Sequence, residues 1–95
     1  IAPTTYTLDD IERELGHEIS FRERNGKIVR LYFNGKSSFV TCYLQNEQKD
    51  VVDRAEFVIN SMLVRKDFYS YTRIFSEYYA PADNKAKLYM RQFYN

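Results

Sequence analysis

The sequence has no tryptophan, one cysteine and one histidine, and these shortages exclude several kinds of active site. A single cysteine cannot form an internal disulfide, and one cysteine with one histidine cannot supply the three or four ligands of a usual zinc site. The pattern places Cys42 within a predicted strand, where a thiol is ordinarily a small hydrophobe rather than a nucleophile activated by His17. We therefore predict no catalytic residues, no metal and no cofactor, and a protein that is not an enzyme.

Glycine, excess charge and long apolar runs are also scarce. No phosphate-binding loop pattern is present, because each of the three glycines already fits a turn or a helix end. The net charge of +1 gives no strong attraction to nucleic acid or acidic membranes, and no apolar run approaches the ~20 residues of a membrane span. The length fits one domain, residues 1–95, and the start at Ile1 instead of Met indicates a processed product or a piece of a longer protein.

Aromatic residues, in contrast, are abundant. The chain has nine tyrosines and seven phenylalanines, more than the core of so small a domain needs. Some of these rings must therefore lie on the surface or at an interface.

The N-terminal half predicts a short helix followed by three strands. Thr7 to Asp10 resembles a capping box, and the helix spans about residues 8–15. Two Asn-Gly dipeptides, at 25–26 and 34–35, separate β-rich runs and predict an antiparallel three-stranded meander. A three-residue loop at 24–26 pairs apolar with apolar residues and is preferred over a two-residue turn at Asn25-Gly26.

The C-terminal half predicts a long helix and a hairpin. Apolar residues at helical spacing favour a helix from Gln45 to Lys66, with Asn46 as its N-cap. Residues 68–94 fit either a helix or two strands, and their tyrosine, phenylalanine and threonine favour strands around a turn at 81–84. The predicted fold class is α+β, with the element order α-β-β-β-α-β-β.

One face of the predicted meander carries the candidate binding site. Val29, Leu31 and Phe33 share a core face with alternate residues of the third strand. The opposite face mixes aromatic rings with arginines instead of being uniformly polar, which is typical of binding hot spots. The predicted partner-binding residues are Arg22, Ile28, Arg30, Tyr32, Phe39 and Tyr43.

The element order resembles that of type III secretion chaperones and of the periplasmic sensory domains of ToxR-like membrane-anchored transcription regulators. The second resemblance implies a periplasmic sensor that pairs with a membrane protein and binds an amphipathic ligand such as a bile salt. Without it, a cytoplasmic location is expected. We expect a non-catalytic regulatory domain that forms a hetero- or homo-oligomer through the aromatic face or an open strand edge. The alternative is a nucleic-acid-binding module that uses the same basic, aromatic face.

Overall fold

The computed structural model describes residues 5–33, 35–69, 74–82 and 85–94, without the side chains of His17 and Ile74. A short α-helix, α1 (Leu8–Leu15), and one 3-10 turn (Gly16–Glu18) precede a run of strands. The strands are β1 (Ile19–Asn25), β2 (Ile28–Phe33), β3 (Phe39–Asn46), β4 (Lys49–Ile59), β5 (Met62–Tyr69), β6 (Ile74–Ala82) and β7 (Lys85–Tyr94). They form one antiparallel sheet in which neighbours in sequence are neighbours in space.

Helix α1 begins and ends where the sequence predicts. The Thr7 side chain accepts a hydrogen bond from the Asp10 backbone, and the Asp10 carboxylate accepts one from the Thr7 backbone, so the capping box is complete. Gly16 ends the helix with a φ of 56°, which a residue without a Cβ adopts easily. The helix buries Leu8 and Ile11 against the sheet.

The core lies between α1 and one face of the sheet, which we name the core face. The predicted core residues of the meander are all buried, and residues of β4 complete the cluster: Val29, Leu31, Phe33, Val40, Cys42, Leu44, Val52 and Ala55. Burial of apolar surface by α1 therefore stabilises the N-terminal part of the sheet. From β5 onwards, Ser76 is the one residue of the described segments that counts as buried.

The predicted long helix at 45–66 is wrong, and with it the α+β class. This segment forms the hairpin of β4 and β5, which turns at Asn60 and Ser61 with φ values of 50° and 68°. A two-residue loop with both φ values positive is the type I′ turn that suits the twist of a hairpin. Asn46 caps no helix; it ends β3, and its side chain accepts hydrogen bonds from the backbone of Gln48 and Lys49 in the turn that leads into β4.

A β-bulge explains why the β4 sequence looks helical. Tyr43 pairs with Arg54 but Leu44 pairs with Val52, so Asp53 is an extra residue in β4. The bulge places Val52 and Ala55 on the same face at a spacing of three, which a helix also produces.

The first hairpin has a different register from the one predicted. Asn25 pairs with Ile28, so the turn residues are Gly26 and Lys27, and Gly26 has a φ of 63°. A glycine at the first position of a two-residue turn fits type II′ geometry. Neither predicted loop places the turn there, and the register shift changes which β1 side chains share a face with β2.

The C-terminal strands are confirmed. Residues 74–82 and 85–94 form β6 and β7, and their pairing runs from Ile74 with Tyr94 to Ala82 with Lys85. Pro81 and Ala82, predicted as part of the turn, belong to β6, while residues 83–84 lie outside the described residues.

Candidate functional site

The sheet face opposite α1 is the candidate site, and we name it the open face. No described element outside the sheet packs on it, because α1 and its core contacts lie on the core face. Five of the six predicted binding residues share this face, since Ile28 pairs with Tyr43 and Tyr32 with Phe39, and Arg30 lies between them in β2.

The sixth predicted residue, Arg22, lies on the core face. It pairs with the buried Leu31, and its guanidinium donates to Glu12 of α1 at 2.5 Å. The open face of β1 instead presents Phe21, which pairs with Tyr32, and Glu23, which pairs with Arg30. The error follows from the predicted register of the first hairpin, because a one-residue slip exchanges the two faces of a strand.

Two rows of side chains cross the open face from one strand to the next. The first, which we name the aromatic row, has four aromatic members with one isoleucine and one arginine, and it follows the pairing of β2 to β7: Ile28, Tyr43, Arg54, Phe68, Phe75 and Phe93. A charged row spans all seven strands: Glu23, Arg30, Thr41, Glu56, Lys66, Glu77 and Arg91. The open face therefore extends well beyond the meander in which the sequence located it.

Arginines lie over aromatic rings along this face. The guanidinium of Arg30 lies 4.3 Å from the centre of the Phe39 ring, and that of Arg54 lies 4.1 Å from the Tyr43 ring. Arg30 also donates to the Thr41 hydroxyl at 3.2 Å. These contacts hold two planar cationic groups in place before any partner arrives.

Two acids of the charged row, Glu56 and Glu77, form ion pairs with bases. Arg91 donates to Glu77 at 2.7 Å, and this hydrogen bond is the main cause of the lowered pKa of Glu77. Glu56 lies 3.1 Å from Arg54 and 3.9 Å from Lys66. Burial, followed by the hydrogen bond to Glu77, raises the pKa of Tyr79 to about 12, so this phenol remains protonated at neutral pH.

The most exposed apolar side chains of the open face lie towards its ends. Phe21 is 54% exposed on β1, and Phe93 is 51% exposed on β7. Tyr32, Phe39 and Tyr43 between them are half-buried by their neighbours in the sheet. A surface that extends over seven strands and carries so many apolar rings is typical of an interaction site.

A separate polar cleft lies on the core face, beside the end of the region that α1 covers. It is open to solvent, has a volume of about 230 Å³ and is lined by Tyr6, Glu14, Arg65, Asp67, Tyr69, Ser76 and Tyr94. The rings of Tyr6 and Tyr69 stack at 4.2 Å, and the Tyr6 hydroxyl donates to Glu14 at 2.7 Å. Burial is the main cause that raises the pKa of both tyrosines, so both phenols are protonated at neutral pH.

Of the two residues considered for catalysis, the structure describes the side chain of Cys42 alone. Cys42 is fully buried on the core face, and burial raises its thiol pKa to about 12. His17 lies in the 3-10 turn, and its side chain is outside the described part of the chain. Among the described residues, no group of potential metal ligands occurs and no helix is long and apolar enough to cross a membrane.

Known proteins with similar sequences are subunits of a glycosyltransferase. The chain is 55% identical over 95 residues to the UDP-N-acetylglucosamine--peptide N-acetylglucosaminyltransferase GtfA subunit of Streptococcus pneumoniae serotype 4. It is 44% identical to the GtfA subunit of Streptococcus gordonii. In both cases the match covers all of this chain and 19% of the relative, so the chain spans about a fifth of their length.

Two solved structures share this fold. A crystal structure of the pneumococcal O-GlcNAc transferase GtfA in complex with UDP and GlcNAc has a TM-score of 0.84 and 55% identity, over 100% of this chain and 19% of that one. A crystal structure of a GtfA/B complex has a TM-score of 0.83 and 44% identity, over 98% of this chain and 18% of that one.

These relatives correct two predictions. The resemblance to ToxR-like sensory domains is wrong, because it depended on an element order that the all-strand sheet does not have, and the sensor, the regulatory role and the bile-salt-like ligand have no support. The prediction that the protein is not an enzyme is wrong, because the relatives are named as a transferase subunit. None of the relatives' names refers to nucleic acid, so that alternative gains no support either.

The family match agrees with the fold. Residues 21–95, which contain all but the first two residues of the sheet, match the family described as the GtfA extended beta-sheet domain. An extended sheet of seven consecutive strands with little covering it is the architecture that this description names. The chain belongs to the GtfA extended beta-sheet domain family.

Proposed function

We propose that this chain is one domain of a longer GtfA-type subunit that takes part in transferring N-acetylglucosamine from its UDP derivative to a peptide. The names of the relatives, together with identities of 55% and 44% over the full chain, support this activity for the longer protein. The continuous sheet supports residues 1–95 as one domain of it.

Within that protein, we propose that the domain binds a partner subunit of the GtfB kind through the open face. The observation that carries the proposal is that no described element covers this face, although an aromatic row crosses six of its seven strands. A solved complex of GtfA with GtfB, of which one chain resembles this one at a TM-score of 0.83, supports a protein partner of that type.

The arginine and tyrosine side chains of the open face suit this role. Tyr32, Tyr43 and Arg30 combine large contact area with polar ends, and residues of these types dominate the energy of many interfaces. The stacking of Arg30 and Arg54 on neighbouring rings reduces the conformational entropy that binding would otherwise cost.

The open edge of β7 is a less favourable route to the same partner. β7 is an outer strand of the sheet, and it carries Lys85, Lys87 and Arg91 and no acid. A register shift between Tyr78 and Tyr79 also disturbs its pairing with β6. Edge lysines and bulges are devices that discourage strand addition, so the open face is the better candidate.

Two neighbouring residues of β1 provide a matched test. Phe21 is 54% exposed on the open face, while the Arg22 side chain is 57% exposed on the core face. In the complete subunit, we expect Phe21→Ala to weaken the complex by about 30-fold, which corresponds to a hot spot of about 2 kcal/mol. Arg22→Ala removes an exposed ion pair and should change the dissociation constant by less than about fivefold.

A second matched pair on β7 tests the far end of the face. Phe93 lies on the open face at 51% exposure and Met90 on the core face at 42% exposure. The dissociation constants are measured by analytical ultracentrifugation with the partner subunit. If Arg22→Ala and Met90→Ala weakened the complex and the two phenylalanine variants did not, the interface would lie on the core face and the proposal would fail.

A further inference from the structure

We propose that the polar cleft on the core face is a binding site for a neutral sugar residue. The cleft is separate from the open face and does not depend on the partner interaction proposed for that face. The juxtaposition that carries the proposal is a pair of stacked tyrosines beside two carboxylates, a guanidinium and hydroxyl groups, within a cavity of about 230 Å³.

The hydrogen-bonding groups of the cleft suit a ligand that both donates and accepts. The hydroxyls of Tyr6 and Ser76 donate to Glu14 at 2.7 Å and to Asp67 at 2.7 Å, so their oxygen lone pairs remain available as acceptors. Sugar hydroxyls both donate and accept, and can therefore use the carboxylates and the phenol oxygens together.

Arg65 supplies the donor side of the cleft. Its Nε lies 3.1 Å from Asp67 Oδ1, but this atom is buried and makes no hydrogen bond with proper geometry among the described residues. The guanidinium is held over the Phe57 ring at 4.1 Å, so its position is fixed. The Arg65 side chain is 37% exposed, so its outer N–H groups can donate to a ligand hydroxyl in the cleft.

The charge of the cleft decides between ligand classes. Among the described lining residues, Glu14 and Asp67 outnumber Arg65, and this excess of negative charge disfavours phosphates, carboxylates and nucleotides. A cationic ligand gains little from Asp67, because Arg65 already neutralises that carboxylate, and Glu14 is exposed to solvent. These charges favour a neutral ligand with many hydroxyls, about the size of one sugar ring, over an anionic or a cationic one.

The cleft can be monitored directly in the complete subunit with 3-fluorotyrosine at position 94, since Tyr94 lines it. The probes are N-acetylglucosamine and methyl galactoside, with glycerol, inorganic phosphate and lysine methylamide as controls. We expect a saturable change of the fluorine resonance with one of the sugars, at a dissociation constant of about 1 mM. No change with either sugar, or an equal change with any control, would overturn the proposal.

Substitutions separate this cleft from sugar binding elsewhere in the subunit. Arg65→Gln should weaken sugar binding by about tenfold, because a charge-assisted hydrogen bond is lost. Arg91→Gln removes the same charge from the open face and should leave the dissociation constant unchanged. Glu14→Ala, on the exposed side of α1, should also weaken sugar binding. If Arg65→Gln does not fold, Glu14→Ala alone tests whether the sugar binds in this cleft.

An unchanged sugar affinity in a folded Arg65→Gln or Glu14→Ala variant would show that the resonance reports another site. Affinity for the partner subunit is measured on the same samples. Loss of sugar binding with partner affinity retained would support the cleft whatever the fate of the open-face proposal.

Discussion

Replacing Ser61 by glycine should stabilise the domain, because Ser61 has a left-handed backbone with a φ of 68°. An L-residue in that conformation costs roughly 1–2 kcal/mol, which glycine avoids. The greater conformational entropy of glycine in the unfolded chain offsets about 0.5–1 kcal/mol of this stabilisation. We therefore expect Ser61→Gly to increase the free energy of unfolding by about 0.5–1 kcal/mol, and Ser61→Ala to leave it unchanged or lower it.

The same two substitutions distinguish the hairpin from the helix that the sequence pattern suggests. In a helix, alanine would stabilise and glycine would destabilise, each by about 0.5 kcal/mol relative to serine. Urea unfolding followed by circular dichroism measures both signs, and thermal midpoints should move by about 4–8 °C per kcal/mol in a domain of this size. A lower midpoint for Ser61→Gly together with a higher one for Ser61→Ala would refute the β4–β5 turn.

Three further outcomes follow from the core and from the start of α1. Leu31→Ala, at a fully buried position, should cost about 2–5 kcal/mol of unfolding free energy in urea, whereas Ile28→Ala, 42% exposed on the same strand, should cost less than about 1 kcal/mol. Cys42, whose pKa burial raises to about 12, should react with a thiol reagent at pH 8 only after urea unfolds the chain; rapid reaction of the native domain would contradict its placement. Hydrogen bonds from Thr7 lower the pKa of Asp10 below its ordinary 3.8, so their stabilisation is present above that pH and is lost as the pH falls through the lower folded pKa. Asp10→Asn should flatten this part of the acid-unfolding curve, and an unchanged curve would rule the contribution out.

The sequence correctly predicted those parts of the fold whose local sequence signals have only one physical interpretation. The capping box at Thr7 and Asp10 defined α1, and strict alternation in β2 and β3 identified the core face. The signal failed where a bulge intervened. Asp53 interrupts the alternation of β4, and the resulting spacing between Val52 and Ala55 has the period of a helix. The β-branched residues of that segment and Asn60 at its turn were the cues that favoured strands.

The candidate site was predicted in part for the same reason. Ile28, Arg30, Tyr32, Phe39 and Tyr43 share the open face because their strands alternate regularly. Because a helix was predicted at 45–66, the continuation of that face into β4 and β5 was missed. The predicted turn of the first hairpin wrongly placed Arg22 on the same face. Which side chains share a face depends on register, and register in a hairpin depends on the turn, which one glycine and one lysine decide here.

The C-terminal strands raise a physical question about how a single layer stays folded. Apart from the stacking of Tyr6 on Tyr69, β5 to β7 are not covered by a second layer among the described elements, so cross-strand contacts must replace most of a core. Phe68 stacks on Phe75 at 4.5 Å, and Phe75 meets Phe93 at 5.2 Å. Such pairs contribute roughly 0.2–1 kcal/mol each, which keeps the strands in register but leaves much apolar surface in water. The rings that hold these strands together are thus the same rings that form the aromatic row of the open face. A partner that covers them buries apolar surface that is already ordered, so little of the binding energy is lost to conformational entropy.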